Sequence, residues 1–180
     1  HAEEFLFDGE ENGTAAFPTA LTVFGTAGEN IIVHQPALAD NAGTVSVDEL
    51  LPVTYEGLDR AGATGLTIDG EAGNADTLVA LGTPAADTFG VPGTPDIFLN
   101  TRIPVNTVQV ENYVLDGLAG DDDFNIIPVI DATVDNGTGT IPMLINAEGP
   151  SGSDQVNFSV NTVDAAPNEV SIDMDSARAT

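Results

Sequence analysis

The stretch YVLDGLAGDDDFNII, residues 113 to 127, decides the fold and carries most of the chemistry of this chain. It starts with an alternating apolar segment, turns through Gly117 and Gly120, and ends in a second alternating segment. Residues 66 to 81 and 144 to 160 share the same plan of strand, acidic residue, glycine-rich turn, aspartate and strand. The recurrence predicts short strands joined by chemically similar turns. Weaker copies occur at residues 7 to 13 and, for the downstream half alone, at residues 86 to 89.

Alternation of apolar and polar residues is the main local pattern outside these turns. It is clearest at residues 156 to 160 (VNFSV) and 170 to 174 (VSIDM), where one face of an extended segment would be apolar. The only candidate for helix, residues 48 to 51, is stopped by Pro52. The sequence therefore predicts an all-β fold. Shorter strands with the same pattern are predicted at Val45-Ser46-Val47, Leu66-Thr67-Ile68, Val108-Gln109-Val110 and Phe124-Asn125-Ile126.

Two all-β architectures fit the order of strands and turns. The recurring strand, glycine-rich turn and strand favour a β-solenoid-like stack, whereas Asn136-Gly137, between the apolar stretches 126 to 130 and 141 to 145, predicts a hairpin and favours a β-sandwich with long Gly/Asp-rich turns. Residues 1 to 180 are predicted to form a single all-β domain. The only candidate boundary, and a weak one, lies at residues 82 to 95.

Charge restricts the partners of this chain. It has 29 acidic residues, three arginines and no lysine, which gives a formal net charge of −26. Such a surface repels nucleic acid and anionic lipid, so neither is expected as a partner. Cations are the expected partners. Adaptation to high salt is an alternative reason for the acidity. Disorder is disfavoured because the alternating segments can bury an apolar face.

The expected location is extracellular. The chain contains no cysteine and no apolar stretch near the roughly 20 residues that span a bilayer, so membrane insertion is not expected. It begins at His1 rather than Met, which fits a secreted protein after removal of a signal peptide or a fragment of a longer protein. We therefore expect a secreted protein at the cell surface.

The acidic turns are candidate calcium sites. Calcium takes six to eight oxygen ligands from carboxylates and from backbone carbonyls, which glycine-rich turns can present. Ordinary β-turns, with Asp or Asn capping the local backbone, are the alternative interpretation. The candidate calcium ligands are Asp116, Asp121, Asp122, Asp123, Asp69, Asp76, Glu148 and Asp154.

The turns resemble the Gly-Gly-x-Gly-x-Asp-x-apolar repeats of haemolysin-type (RTX-like) calcium-binding proteins. Residues at the first, fourth, sixth and eighth positions of this motif match in two turns, but the second glycine is replaced by Glu71, Leu118 and Pro150, and Ala75 is an extra residue. The resemblance implies a parallel β-roll that binds calcium between successive turns. The matching residues are Gly117, Gly120, Asp122 and Phe124 in one turn and Gly149, Gly152, Asp154 and Val156 in the other.

The sequence predicts a function without catalysis. The turns are also similar to the degenerate IDGxAGxDTL units of large bacterial surface proteins and adhesins, which implies a calcium-stabilised structural or adhesive module. No catalytic motif is recognisable, and His34, in an apolar run, is expected at a strand edge rather than as a base.

Two other functions remain open. The first is a self-assembling subunit of a filament or surface layer, in which Phe5-Leu6-Phe7 would pair with a neighbouring copy. The second, a carbohydrate-active protein, comes last because the chain has no Trp and only Tyr55 and Tyr113 for stacking on sugars.

Overall fold

The computed structural model describes residues 5–8, 20–58, 65–72, 75–129, 141–147 and 153–159. These residues form 14 β-strands and no helix, so the all-β prediction is confirmed for them. No described segment is a helix long and apolar enough to cross a lipid bilayer. The strands are β1 (Phe5–Asp8), β2 (Leu21–Phe24), β3 (Ile31–Pro36), β4 (Gly43–Val47), β5 (Val53–Glu56), β6 (Leu66–Asp69), β7 (Thr77–Leu81), β8 (Thr88–Pro92), β9 (Asp96–Leu99), β10 (Val105–Val108), β11 (Asn112–Asp116), β12 (Asp123–Ile127), β13 (Met143–Asn146) and β14 (Gln155–Phe158).

The strands form two sheets of seven. The first has the order β1-β5-β4-β3-β7-β11-β13 and the second the order β14-β12-β8-β9-β10-β6-β2. Three groups of strands pair in parallel, which we call the β2 stack (β2, β6, β10), the β3 stack (β3, β7, β11, β13) and the β8 stack (β8, β12, β14). In the second sheet β9 joins the β8 and β2 stacks by antiparallel pairing on both sides.

The chain passes through the three stacks in a fixed order. Strands β6, β7 and β8 make one passage, and β10, β11 and β12 make the next, with each strand in register with its counterpart. We call each passage a rung. The register places Leu81 beside Asp116, so Gly82 and Gly117 start equivalent turns. Residues 82 to 95, the weak boundary candidate, contain one of these turns and β8.

The core consists of inward-facing rows that run from rung to rung. In the β8 stack, Phe89 pairs with Phe124, and their rings stack with centroids 5.0 Å apart. In the β3 stack, Ile32, Leu78 and Tyr113 form one continuous row of buried side chains. The period-two alternation in the sequence is therefore the pattern of one buried and one outward face.

Antiparallel strands extend the first sheet beyond β3. Strand β4 pairs with β3, β5 pairs with β4, and β1 pairs in parallel with β5. Phe5-Leu6-Phe7, expected to seek a neighbouring copy, therefore pairs with β5 of its own chain. Antiparallel pairing was expected at Asn136-Gly137, which lies outside the described residues. The stretches that flank it reach into β12 and β13, which lie in different sheets, and the N–H of Ile141 donates to the carbonyl oxygen of Val129 at 3.1 Å. The hairpin itself stays a prediction.

One predicted strand is interrupted. Strand β10 ends at Val108, and Gln109 has a positive φ of 53°, which breaks the predicted strand Val108-Gln109-Val110. The left-handed residue lets the chain turn from β10 into β11. The other short predicted strands lie in β4, β6 and β12, residues 156 to 158 lie in β14, and residues 170 to 174 lie outside the described part of the chain.

Candidate functional site

The residues just before β3, β7 and β11 of the β3 stack form a ladder of polar contacts. The backbone N–H of Asn30 donates to Asp76 Oδ1 at 2.7 Å, and the N–H of Asp76 donates to Glu111 Oε2 at 2.8 Å. Each bond joins one rung to the next. We call this series of contacts, Asn30–Asp76–Glu111, the β3 ladder.

An equivalent ladder precedes the strands of the β8 stack. The N–H of Asp87 donates to Asp122 Oδ1 at 2.9 Å, and the N–H of Asp122 donates to Asp154 Oδ1, also at 2.9 Å. We call this series the β8 ladder. The acidic residues that the sequence placed in turns therefore act as acceptors for the backbone of the preceding rung.

Each ladder begins at a residue with a left-handed backbone. Asp48 (φ 47°) accepts from the N–H of Ile31 and from Asn30 Nδ2, both through its carboxylate. Asn100 (φ 52°) accepts from the N–H of Thr88 and donates to Asp87 Oδ1. These two side chains make the first polar contacts of the two ladders.

Close packing explains why a glycine lies five residues before Asp87 and before Asp122. A Cβ on Gly82 would lie 2.8 Å from both Asp87 Oδ2 and the carbonyl oxygen of Gly117. A Cβ on Gly117 would overlap Asp122 Oδ2 in the same way. The pattern Gly-x-x-x-x-Asp is thus the local sequence requirement of the turn, since a larger residue would displace the ladder carboxylate.

The turns are of two kinds. After β2 and β7 the glycine is followed by threonine, whose N–H donates to the ladder side chain: Thr26 to Asn30 Oδ1 at 2.6 Å and Thr83 to Asp87 Oδ2 at 2.5 Å. After β6 and β11 an aspartate precedes the glycine. Its carboxylate, instead of the ladder side chain, accepts the hydrogen bond from the N–H of the residue after the glycine.

In the second kind of turn the residue after the glycine has a left-handed backbone, with φ 69° at Glu71 and 65° at Leu118. These are the positions at which the haemolysin-type motif carries its second glycine. The N–H of Glu71 donates to Asp69 Oδ1 at 3.1 Å, and that of Leu118 donates to Asp116 Oδ1 at 3.0 Å. Non-glycine residues therefore adopt a conformation that favours glycine.

The same turns contain two buried carboxylate oxygens, Asp76 Oδ2 and Asp122 Oδ2, that have no hydrogen-bond partner among the described residues. Burial raises the pKa of both carboxyls above the ordinary value. The hydrogen bond from the backbone of the preceding rung opposes this shift, and nearby carboxylates add to it. For Asp122 those carboxylates are Asp87, Asp154 and Asp121.

The predicted calcium ligands fall into distinct positions. Asp76, Asp122 and Asp154 are ladder acceptors; Asp69 and Asp116 cap their own turns; Asp121 is exposed and Asp123 begins β12; Glu148 lies outside the described residues. Among the described residues, no group of three or more His, Asp or Glu side chains is arranged to hold a metal ion. Calcium binding at these turns stays a prediction.

Two turns of the ladders were not recognised as full copies in the sequence. Gly25 and Asn30 form one, which the sequence pattern does not predict, and Gly82 and Asp87 form the other, for which the sequence predicts only the downstream half. Both turns share the spacing Gly-x-x-x-x-Asp/Asn, but neither has an acidic residue before the glycine. The spacing alone would therefore have predicted them. In the turn of Gly70, the extra Ala75 lengthens this spacing by one residue.

His34 lies inside β3, which has a partner strand on each side, so its expected place at a strand edge is wrong. Its Nε2 lies 2.8 Å from the Tyr55 hydroxyl, and the imidazole is buried. Burial, and secondarily the positive charge of Arg102, lowers the pKa of His34 to about 4. The imidazole is therefore neutral and packed in the core at physiological pH.

Comparisons with known proteins add no relative to this description. No protein family matches the chain, and no significant match is found among curated proteins or among solved structures.

Proposed function

We propose that the chain is a non-catalytic structural or adhesive module of an extracellular cell-surface protein, built as a β-solenoid. The observation that carries the proposal is the pair of ladders in which the backbone of one rung donates to a carboxylate of the next. Repeated contacts between neighbouring rungs are the means by which solenoids gain stability, since each repeat contacts only its neighbours. Such a stack suits a stiff spacer that holds other domains away from a surface.

Duplication of one rung tests the solenoid. Residues 117 to 148 form one repeat of 32 residues, the separation of Asp122 and Asp154, and carry β12 and β13, which pair only in parallel. A tandem copy of this segment inserted before Gly149 should fold and increase the urea m-value, because a solenoid lengthens by whole repeats. A β-sandwich would have no place for the extra strands. An aggregated or molten product would therefore overturn the solenoid.

Calcium is part of the proposal as a stabiliser of the acidic turns. The observation that supports it is the closeness of Asp87, Asp121 and Asp154 to Asp122: burial raises the pKa of the Asp122 carboxyl, and the repulsion from these three carboxylates raises it further. A bound cation would relieve this repulsion. We expect millimolar calcium to raise the melting temperature of chelator-treated protein, and isothermal titration to show saturable binding.

The variant Asp121→Asn/Asp123→Asn separates calcium binding from the ladders, since neither side chain is a ladder acceptor. It should lose the calcium-dependent rise in melting temperature. The control Glu49→Gln/Glu56→Gln removes the same charge from exposed residues in another part of the fold and should keep the rise. The absence of any shift would remove calcium from the proposal, and an equal shift with sodium of the same ionic strength would indicate salt adaptation.

A second candidate is self-assembly through the edge of β14. Val156 and Phe158 continue two inward rows but are 43% and 40% exposed, whereas Phe124 and Ile126 one rung earlier are buried. A second copy of the chain could cover them. Light scattering across a concentration series tests this, with Phe158→Lys expected to abolish assembly and Phe24→Lys, an outward residue of β2, to preserve it. Loss of assembly after deletion of residues 1 to 8 alone would instead indicate β1.

A further inference from the structure

An open groove of about 290 Å³ lies on the face of the β8 stack and β9. It is lined by residues of β8, β9, β12 and β14 together with Ser159, and none of the lining residues is charged. The lining therefore includes none of the 29 acidic side chains that give the chain its net charge of −26. It is close in size to the small end of ligand sites, which are typically lined by apolar groups with a few polar ones.

The floor of the groove is Gly90, in the middle of β8. Glycine inside a strand weakens the strand and often marks a place where a ligand approaches closely. Nothing in the packing requires it here: a Cβ at this position would meet only Phe98 Cβ, at an ordinary contact distance of 3.6 Å, and the φ of Gly90 is not left-handed. The missing side chain therefore leaves room outside the sheet without serving the fold.

The sides of the groove combine an aromatic ring with stacked amides. Gly90, Asn125 and Asn157 share one outward row, and Asn157 Nδ2 donates to Asn125 Oδ1 at 3.1 Å. That bond uses one polar atom of each amide, so Asn125 Nδ2 remains as a donor and Asn157 Oδ1 as an acceptor among the described residues. Phe98 from β9, 40% exposed, lies on the other side of Gly90.

We propose that this groove binds a segment of a neutral polysaccharide. Sugar hydroxyl groups donate and accept hydrogen bonds, as the two amides require, and the C–H face of a sugar ring packs on an aromatic ring such as that of Phe98. An anionic ligand is repelled by the net charge. The uncharged lining thus fits a neutral glycan better than an anionic one.

Affinity gel electrophoresis tests the proposal with hydroxyethyl cellulose, glucomannan and dextran as neutral probes and polygalacturonate as the anionic comparison. Wild-type protein should be retarded by at least one neutral probe and not by polygalacturonate. Gly90→Val fills the groove and should abolish the retardation while the melting temperature stays equal or rises, because valine favours strands. Phe98→Ala should weaken binding at least fivefold.

The control Thr22→Val adds a β-branched side chain at an exposed position of β2, away from the groove, and should leave binding unchanged. Gly90→Ala provides a smaller replacement should the valine variant fail to fold, and it too should weaken binding. Failure of all three neutral probes to retard the protein would overturn the proposal, as would retardation that survives both Gly90 variants. Concentration-dependent dimerisation lost in Gly90→Val would assign the groove to a second copy and overturn it as well.

Discussion

The backbone N–H of Asp87 and Oδ1 of Asp122 lie 2.9 Å apart, although 35 residues separate them in the sequence. Asp122→Ala would remove the acceptor and leave a buried N–H unpaired. We therefore expect it to lower the free energy of unfolding by about 1–3 kcal/mol. Urea denaturation at pH 7 measures this value.

Asp122→Asn should be compared with that variant, because its amide oxygen can still accept the hydrogen bond from the N–H of Asp87. Asn30 shows that an amide side chain is tolerated at a ladder position. It also removes a buried charge that lies near other carboxylates. We expect its stability to match or exceed that of the wild type. Asp121→Ala, at the exposed neighbouring position, should change stability by no more than about 0.5 kcal/mol. An Asn variant as unstable as the Ala variant would contradict the role of Oδ1.

The turn glycines should tolerate substitution according to the space around them. Gly117→Ala would place a methyl group against Asp122 Oδ2 and displace the ladder carboxylate. We expect a loss of about 1–3 kcal/mol, typical of overpacking. Gly28→Ala is the control, since its Cβ would meet only Thr26 Oγ1 at 3.9 Å. Equal stability of the two variants in urea titrations would show that the turn is not closely packed.

Leu118 is a site at which stability can be gained. Its φ of 65° is unfavourable for a leucine, and asparagine tolerates this conformation better. Leu118→Asn should raise the free energy of unfolding by about 0.5–1 kcal/mol, in keeping with the strain of a left-handed residue. Ala119→Asn, one residue later and without a positive φ, should give no gain. The thermal midpoints of both variants decide the matter, and a lower midpoint for Leu118→Asn would count against relief of strain.

His34 should make the protein less stable in mild acid. Its pKa is about 4 in the folded protein, below the 6.5 of an unperturbed histidine, so the unfolded chain binds a proton first as the pH falls. The contribution of His34 to stability is therefore complete above pH 6.5 and is lost progressively between pH 6.5 and pH 4, by about 2 kcal/mol at pH 5. Urea titrations at pH 7 and pH 5 measure this loss.

The variant His34→Gln isolates the histidine, since it should reduce the difference between pH 7 and pH 5. The raised pKa values of Asp76 and Asp122 act in the opposite direction: the folded protein binds these protons first, so stability increases as the pH falls through their folded pKa. An Asp122→Asn background removes part of that opposing effect. If the pH dependence of wild type and His34→Gln were identical, the buried imidazole would not be its source.

Much of the fold follows from local patterns. Alternation at Phe124-Asn125-Ile126 predicts a strand because its buried face must be apolar, and the acidic glycine-rich stretch before it predicts a turn. Gln109 illustrates the failure of the same reasoning: its neighbours alternate correctly, but the chain must turn there to reach the next stack. Alternation reports which residues are apolar, and it does not report where a strand has to end.

The hydrogen bonds that the ladder carboxylates accept cannot be predicted from the sequence. Asp122 was predicted to serve as a calcium ligand because carboxylates crowd around it, and the crowding is present in the structure. The partner of its Oδ1, however, is the N–H of a residue one rung earlier, and no local pattern identifies a contact between residues so far apart. Asn30 was missed for a related reason, since an amide does not stand out as an acidic residue does.

The two residues that begin the ladders also suggest an order of folding. Asp48 follows the hairpin of β3 and β4, and Asn100 follows the hairpin of β8 and β9, so each ladder starts at a pair of strands that are neighbours in sequence. Short loops close faster than long ones, which lets such hairpins form before the distant parallel pairs. Each hairpin then has a strand edge at which the first polar contact of the ladder is already formed. Later strands can pair with this edge one at a time.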